Sequence, residues 1–145
     1  MRVDKTCPNY GEYIPKPCIY YAYKQRNKET MIHSRNKGKR FELEVSKALK
    51  ALGFLDARRA QQYAGGVDSA DVIGVDGFHI ECKMAREAIR LNKSWEQINR
   101  DKGDKKGLLV WRVNKGKMHV DLLFEDLVEL VDRVLEARNS LNSKE

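Results

Sequence analysis

From Phe41 onward the chain is written in short periodic stretches. Phe41, Val45, Ala48, Leu49 and Leu52 recur at spacings of three and four, and Gly53 follows. That spacing predicts an amphipathic helix that opens near Lys37 and ends in a glycine cap. FLDARRAQQY then alternates enough for a strand, GGVDS supplies turn chemistry, and ADVIGV is a short apolar strand. Asp76-Gly77 marks a tight hairpin. In FHIECKM, Phe78, Ile80 and Cys82 fall on one face of a strand and His79, Glu81 and Lys83 on the other, so one face is core and the other carries charge. Ala88, Leu91, Trp95 and Ile98 space a second helix ending near Asp101-Lys-Gly103. GLLVWRV and MHVDLLF, separated by NKGK, are two more strands, and Phe124, Leu127, Val128, Val131, Val134 and Leu135 space a last helix. The predicted order is helix, three strands, helix, two strands, helix: an α/β domain over 36–138, with 139–145 as a tail.

The first 35 residues lack this periodicity. They hold two of the three cysteines, five of the six tyrosines and all three prolines. Cys7-Pro-Asn-Tyr10 and Cys18-Ile-Tyr-Tyr21 share a four-residue frame with Cys first and Tyr last, which with two more cysteines would be a zinc-knuckle spacing. A phenol is a poor zinc ligand, and Cys7 and Cys18 alone are too few for a closed tetrahedral site unless His33 or a partner chain contributes. The segment therefore reads as a degenerate zinc-ribbon-like extension, and zinc is not expected in it. Its YYAYKQRNK run suits stacking on nucleic acid or, equally, packing as an aromatic cluster. Cys82, alternating inward, reads as a core residue.

Charge adds a direction. Of 145 residues, 28 are Lys or Arg and 21 Asp or Glu, a net of +7. Residues 1 to 40 hold ten basic and three acidic side chains, and residues 121 to 145 three and seven. A basic front and an acidic tail suggest a polyanion met on one side; the alternative is a solvated charged surface. No run reaches the ~20 apolar residues of a spanning helix, and the first residues carry no apolar signal segment. The expected setting is therefore intracellular, cytoplasmic and away from membranes. Three cysteines in such a chain do not make a disulfide framework.

The chemistry-bearing residues lie on the short strands. Asp71 and Glu81 sit on strands joined by a tight turn, within reach of a shared cation once those strands pair. Lys83, two residues after Glu81, is on the same face, about 6 to 7 Å along the strand. Phosphodiester hydrolysis at neutral pH needs a hydroxide-like nucleophile and relief of transition-state charge. A hard divalent cation held by carboxylates supplies both, and an ammonium beside it orients the attacking water. The alternative is that Asp71 caps a turn and Glu81 pairs with Lys83 on a solvated face. Against that, both acids stand in otherwise apolar strands, where an unpaired charge is costly.

GKRFELEV, GGVDSADVIG and GFHIECK, taken in order from Gly38 to Lys83, resemble the PD-(D/E)xK nuclease superfamily, and within it Holliday-junction-resolvase-like endonucleases of archaeal and phage type. The resemblance covers roughly residues 36 to 120 and extends through SWEQINRDKGDKKGLLVW. It implies a restriction-endonuclease-like core and a metal site of Glu42, Asp71 and Glu81, with Lys83 serving the water. Glu42 stands four residues after Gly38, as the family glutamate does; Glu44 is its rival. Ala70 replaces the proline that names the superfamily, and Asp68 is a turn residue or a second carboxylate. Gln97 stands where related nucleases place a polar residue facing the site or the nucleic acid; the alternative is a solvated helical glutamine. His79 shares the face of Glu81 and could approach phosphate. Lys37, Lys39 and Arg40, at the expected helix start, and Arg58, Arg59 and Gln61, before the Gly65-Gly66 loop, are candidate contacts to the DNA backbone.

The implied function is a Mg²⁺- or Mn²⁺-dependent endodeoxyribonuclease acting on branched DNA, which for a junction resolvase implies a homodimer. The alternatives are a nicking or restriction-type nuclease on linear DNA, and a non-catalytic nucleic-acid-binding module that keeps the nuclease fold.

Overall fold

In the computed structural model the first helix begins well before the periodic stretch that predicts it. Residues 16–61 and 69–143 are described, with the course of the helix alone for 16–33. Helix α1 spans Lys16–Ala51, so Lys37 is an interior position and the helix start expected there does not exist. The physical reason is visible in the sequence: Pro8, Pro15 and Pro17 all lie ahead of or within the first turn, where proline is tolerated. From Cys18 to Asn36 no glycine or proline interrupts a run rich in helix-forming Lys, Arg, Gln and Glu. Cys18 thus stands in a helix, while Cys7 and the remainder of its knuckle lie outside the described residues. By backbone proximity the chain divides into Met1–Lys37 and Gly38–Glu145.

The second unit is α/β. Strands β1 (Arg58–Arg59), β2 (Val72–Ile73), β3 (Phe78–Ala85), β4 (Lys106–Val113) and β5 (His119–Asp121) form one mixed sheet in sequence order. All neighbours are antiparallel except β3 and β4, which run parallel from Phe78↔Lys106 to Ala85↔Val113. The parallel pair requires a crossover, supplied by helix α2 (Leu91–Asp101). A 3₁₀ turn (Phe124–Asp126) leads into helix α3 (Leu127–Asn142). The predicted order of elements is present, with two changes of extent. Among its described residues FLDARRAQQY yields the two-residue β1, and α3 continues to Asn142, into the stretch 139–145 expected as a tail. Asn139–Asn142 contains no helix breaker, and the Ser140 and Ser143 hydroxyls donate back to carbonyls four residues earlier.

Two layers of helix sandwich the sheet. On one face Phe41, Val45 and Leu49 of α1 meet Phe78, Ile80, Leu108 and Val110, with Leu130, Val134 and Ala137 of α3 packed against the same cluster. Gly53 closes α1 at φ 115°, and a Cβ there would lie 2.7 Å from the Ala137 backbone, so the cap also sets how closely α3 approaches. On the other face α2 lies over β4 so tightly that a Cβ on Gly107 would meet Ile98 at 2.6 Å and Trp95 at 2.7 Å. Trp95 Nε1 donates to Asp121 Oδ2 at 2.7 Å, fixing the helix against β5. Because β3 is central, both its faces are covered. His79, on its charged face, is fully buried and cannot reach a phosphate. Cys82 is half-buried against the apolar cluster, and burial pushes its thiol well up from the ordinary value. No described helix is long and apolar enough to cross a membrane.

Candidate metal and nucleic-acid site

Asp71 precedes β2 and is tied on both sides by its backbone. Its N–H donates to the Ile80 carbonyl and its carbonyl accepts from Ala60 N–H, both at 2.9 Å. Because Val72 pairs antiparallel with Ile80, continuing the register sets Asp71 opposite Glu81. With Val72 turned into the apolar cluster, alternation turns Asp71 to the face that carries Glu81. Asp71 Oδ2 accepts the Cys82 N–H at 2.8 Å. The carboxyl is 7% exposed, and its pKa is raised from the ordinary 3.8 to about 6, first by burial and then by the Glu81 charge, with Glu42 adding to the rise. The N–H of Cys82 and the Lys83 ammonium act in the opposite sense.

Glu81 is 2% exposed. Its Oε1 accepts from Lys83 Nζ at 2.6 Å and from Gln97 Nε2 at 2.8 Å, and Lys83 Nζ also donates to Gln97 Oε1 at 2.9 Å. This three-membered ring joins β3 to α2. The Glu81–Lys83 pair is the one expected on a solvated strand face, but the face is roofed by a helix. The other oxygen, Glu81 Oε2, is buried without a hydrogen-bond partner among the described residues.

Glu42 and Glu44 separate cleanly. Glu42 is half-buried, close enough for its charge to act on Asp71, and takes the Arg59 guanidinium as its partner. Glu44 is exposed and pairs with Arg112 at 2.7 Å, whose guanidinium also lies 4.8 Å from the centre of the Phe41 ring. Glu42 is therefore the helix carboxylate that faces the site. Arg59, expected at the DNA backbone, turns to Glu42, while Arg58 and Gln61 beside it are exposed. Lys37, Lys39 and Arg40 are exposed along α1, without the free N–H groups of a helix start. Asp68, Gly65 and Gly66 lie outside the described residues, as does the His33 side chain.

Among the described residues no group of three or more His, Cys, Asp and Glu is arranged to hold a metal ion. Asp71 and Glu81 still fit a small hard cation. They offer oxygen donors, one buried oxygen lacks a partner, and their mutual repulsion is what a cation would relieve. Mg²⁺ in particular is bound through one or two carboxylates, with waters and substrate phosphate completing the shell. A cleft of about 290 Å³ is lined by Lys83 and Gln97, the two partners of Glu81, and by Arg90 and Lys93; neither Asp71 nor Glu81 lines it. No motif in the sequence marks those two bases; their only signal is position, at the start of a helix that follows the Glu-x-Lys strand. Comparison with family models, curated proteins and solved structures finds no match to this chain.

Proposed function

We propose that this chain is a divalent-metal-dependent endodeoxyribonuclease built on a restriction-endonuclease-like core. The observation that carries the reading is the juxtaposition of Asp71 with Glu81, both buried, with the Lys83 ammonium on Glu81 and Gln97 on both members of that ion pair. Asp71 and Glu81 hold Mg²⁺ or Mn²⁺, with Glu42 as a third acid once it leaves Arg59. When bound, such an ion supplies Lewis-acid relief of charge and a more acidic water. Lys83, anchored by Glu81 and Gln97, directs its remaining N–H toward the attacking water and steadies the negative charge that develops on it. Gln97 positions Lys83 and touches no reacting atom. Lys37, Lys39, Arg40 and Arg58 hold the DNA backbone. The resemblance of the Gly38–Lys83 motifs to junction resolvases favours branched DNA.

Labelled four-way junctions, flaps, single strands and linear duplex incubated with Mg²⁺ test this reading. The branched substrates should be cut, and Asp71→Asn should abolish cutting while binding in chelator persists. All substrates left intact, or full activity in that variant, would reject it. One observation favours a second reading. Because Glu42 is engaged by Arg59 and no three-acid group is assembled among the described residues, a binding module that keeps the fold without cleaving also fits. That module would bind the same DNAs and leave every strand whole.

A further inference from the structure

The cleft of about 290 Å³ lies where the end of β3 meets the first turn of α2. Its lining is of two kinds. Ala85, Ala88 and Ile89 make it apolar, Lys83, Arg90 and Lys93 make it basic, and no acidic side chain among the described residues lines it. Lys83 is engaged by Glu81 and Gln97. Arg90 and Lys93 are exposed and make no ion pair among the described residues, so both cations are available to whatever enters. Arg90 also opens α2 without a side-chain cap, and the positive end of the helix dipole adds to the same charge.

An apolar lining with cations at its edge and no acid fits a flat apolar body joined to an anion. Ligand pockets run from about 300 to 1,000 Å³, so a cleft at the lower end of that range takes one small ring system and no more. Lys83 says what that body is joined to. It belongs both to the cleft and to the ring made with Glu81 and Gln97. A strand whose reacting phosphate stands at Lys83 therefore carries a neighbouring nucleotide into the cleft.

We infer that the cleft receives one unpaired nucleobase of the bound strand, seated against Ala85, Ala88 and Ile89, with Arg90 and Lys93 on the phosphates that flank it. A paired base cannot enter, because its faces are covered by its neighbours in the stack and drawing it out costs pairing and stacking energy. A nucleotide already unpaired, at a branch, a flap or a bulge, enters without that cost. The inference rests on the reading of this site as one that handles DNA, and is independent of cleavage.

Three duplexes of equal length test it with the full chain in chelator: one fully paired, one with a single bulged nucleotide, and one with the same bulge lacking its base. By fluorescence anisotropy the bulged duplex should bind roughly 10-fold more tightly than the paired one, the usual worth of one stacked base. The bulge without a base keeps its phosphates and its bend, and should lose the advantage. Ala88→Trp, at an exposed position, fills the cleft and should bind all three alike. If that variant does not fold, the two bulges compared on the parent chain decide the matter. Equal binding of the three duplexes by the parent chain, or a bulge preference that survives Ala88→Trp, would overturn the inference. So would a failure to bind any of them, as expected if an anionic peptide fills the cleft. Incubation with Mg²⁺ separates this inference from the nuclease reading. A chain that prefers the bulged base and cuts nothing keeps the base slot and loses the nuclease, and one that cuts without the preference does the reverse.

Discussion

The middle of β3 and the outer flank of α3 depart from the usual distribution of side chains in opposite directions. In β3 and the strand beside it, Asp71 and Glu81 are carboxylates at 7% and 2% exposure. On α3 and the turn that leads into it, Val128 and Phe124 are apolar side chains at 70% and 89% exposure. Buried charge and exposed hydrocarbon both cost free energy in an isolated chain. On the proposed function a bound cation would offset the cost of the buried acids. The two also differ in how they are supported. The acids are held by Lys83, Gln97 and the Cys82 N–H, so their geometry is fixed in advance, whereas the row on α3 is held only by the helix that carries it.

That contrast is broken most severely at Lys83. Replacing it by Met keeps the length of the side chain and removes the ammonium, so cleavage should fall by roughly 10²- to 10³-fold, the usual cost of deleting one group aimed at developing charge. Mg²⁺ should still raise the melting temperature of this variant. Loss of that Mg²⁺ effect together with cleavage would mean that Lys83 supports the fold of the site and does no chemistry.

Next in size is a gain in stability. The Asp71 carboxyl titrates at about 6 in the fold, against an ordinary 3.8, so the folded chain binds its proton more tightly than the unfolded chain does. Stability associated with this group is therefore complete below about pH 4 and is lost as pH rises through about 6. The amide introduced by Asp71→Asn carries no charge at any pH. This variant should accordingly be more stable than the parent near pH 8 by up to about 3 kcal/mol and equal to it near pH 3.5, as read by urea unfolding at the two pH values. A destabilised variant near pH 8 would show that the ionised carboxylate is well accommodated without a cation.

A smaller effect is expected at Gln97. It touches Glu81 and Lys83 but no reacting atom, so Gln97→Ala should lower cleavage about 10- to 100-fold, as losses of supporting hydrogen bonds around a metal site do. Binding to uncleaved DNA in chelator should not change. The smallest effect belongs to Glu44. Its pair with Arg112 is exposed, so Glu44→Gln should change stability by less than about 1 kcal/mol and leave cleavage alone, whereas Glu42→Gln should reduce cleavage. The reverse ranking would move the third acid of the site from Glu42 to Glu44.

Much of this arrangement is legible from residue spacing. Alternation in FHIECKM puts Glu81 and Lys83 on one face, and the Asp76-Gly77 turn pairs their strand with the one holding Asp71. Other features are not legible, each for a local reason. The start of α1 escapes because the residues ahead of Phe41 carry no sustained apolar period to read; the signal is the clustering of Pro8, Pro15 and Pro17 at or before its first turn. The burial of His79 and Glu81 escapes because alternation tells the two faces of a strand apart without saying that both are covered; that depends on α2 crossing over Gly107. Gln97 looks like a surface glutamine because its partners are 14 and 16 residues away, on another element, where no helical or strand period reaches. The exposed row on α3 errs in the other direction: periodicity groups Val128, Val131 and Leu135 with Val134 as one core face, although of these only Val134 packs against the core.

The central claim is that Asp71 and Glu81 together hold a cation. The most direct test follows the Asp71 carboxyl carbon by nuclear magnetic resonance through a pH titration, first in chelator and then in saturating Mg²⁺. In chelator the midpoint should lie at about 6. With Mg²⁺ it should fall to the ordinary carboxylate range near 4 or below, because a bound cation favours the ionised form. A midpoint that stays at about 6 in both titrations would contradict the claim, since it would mean that no cation reaches Asp71.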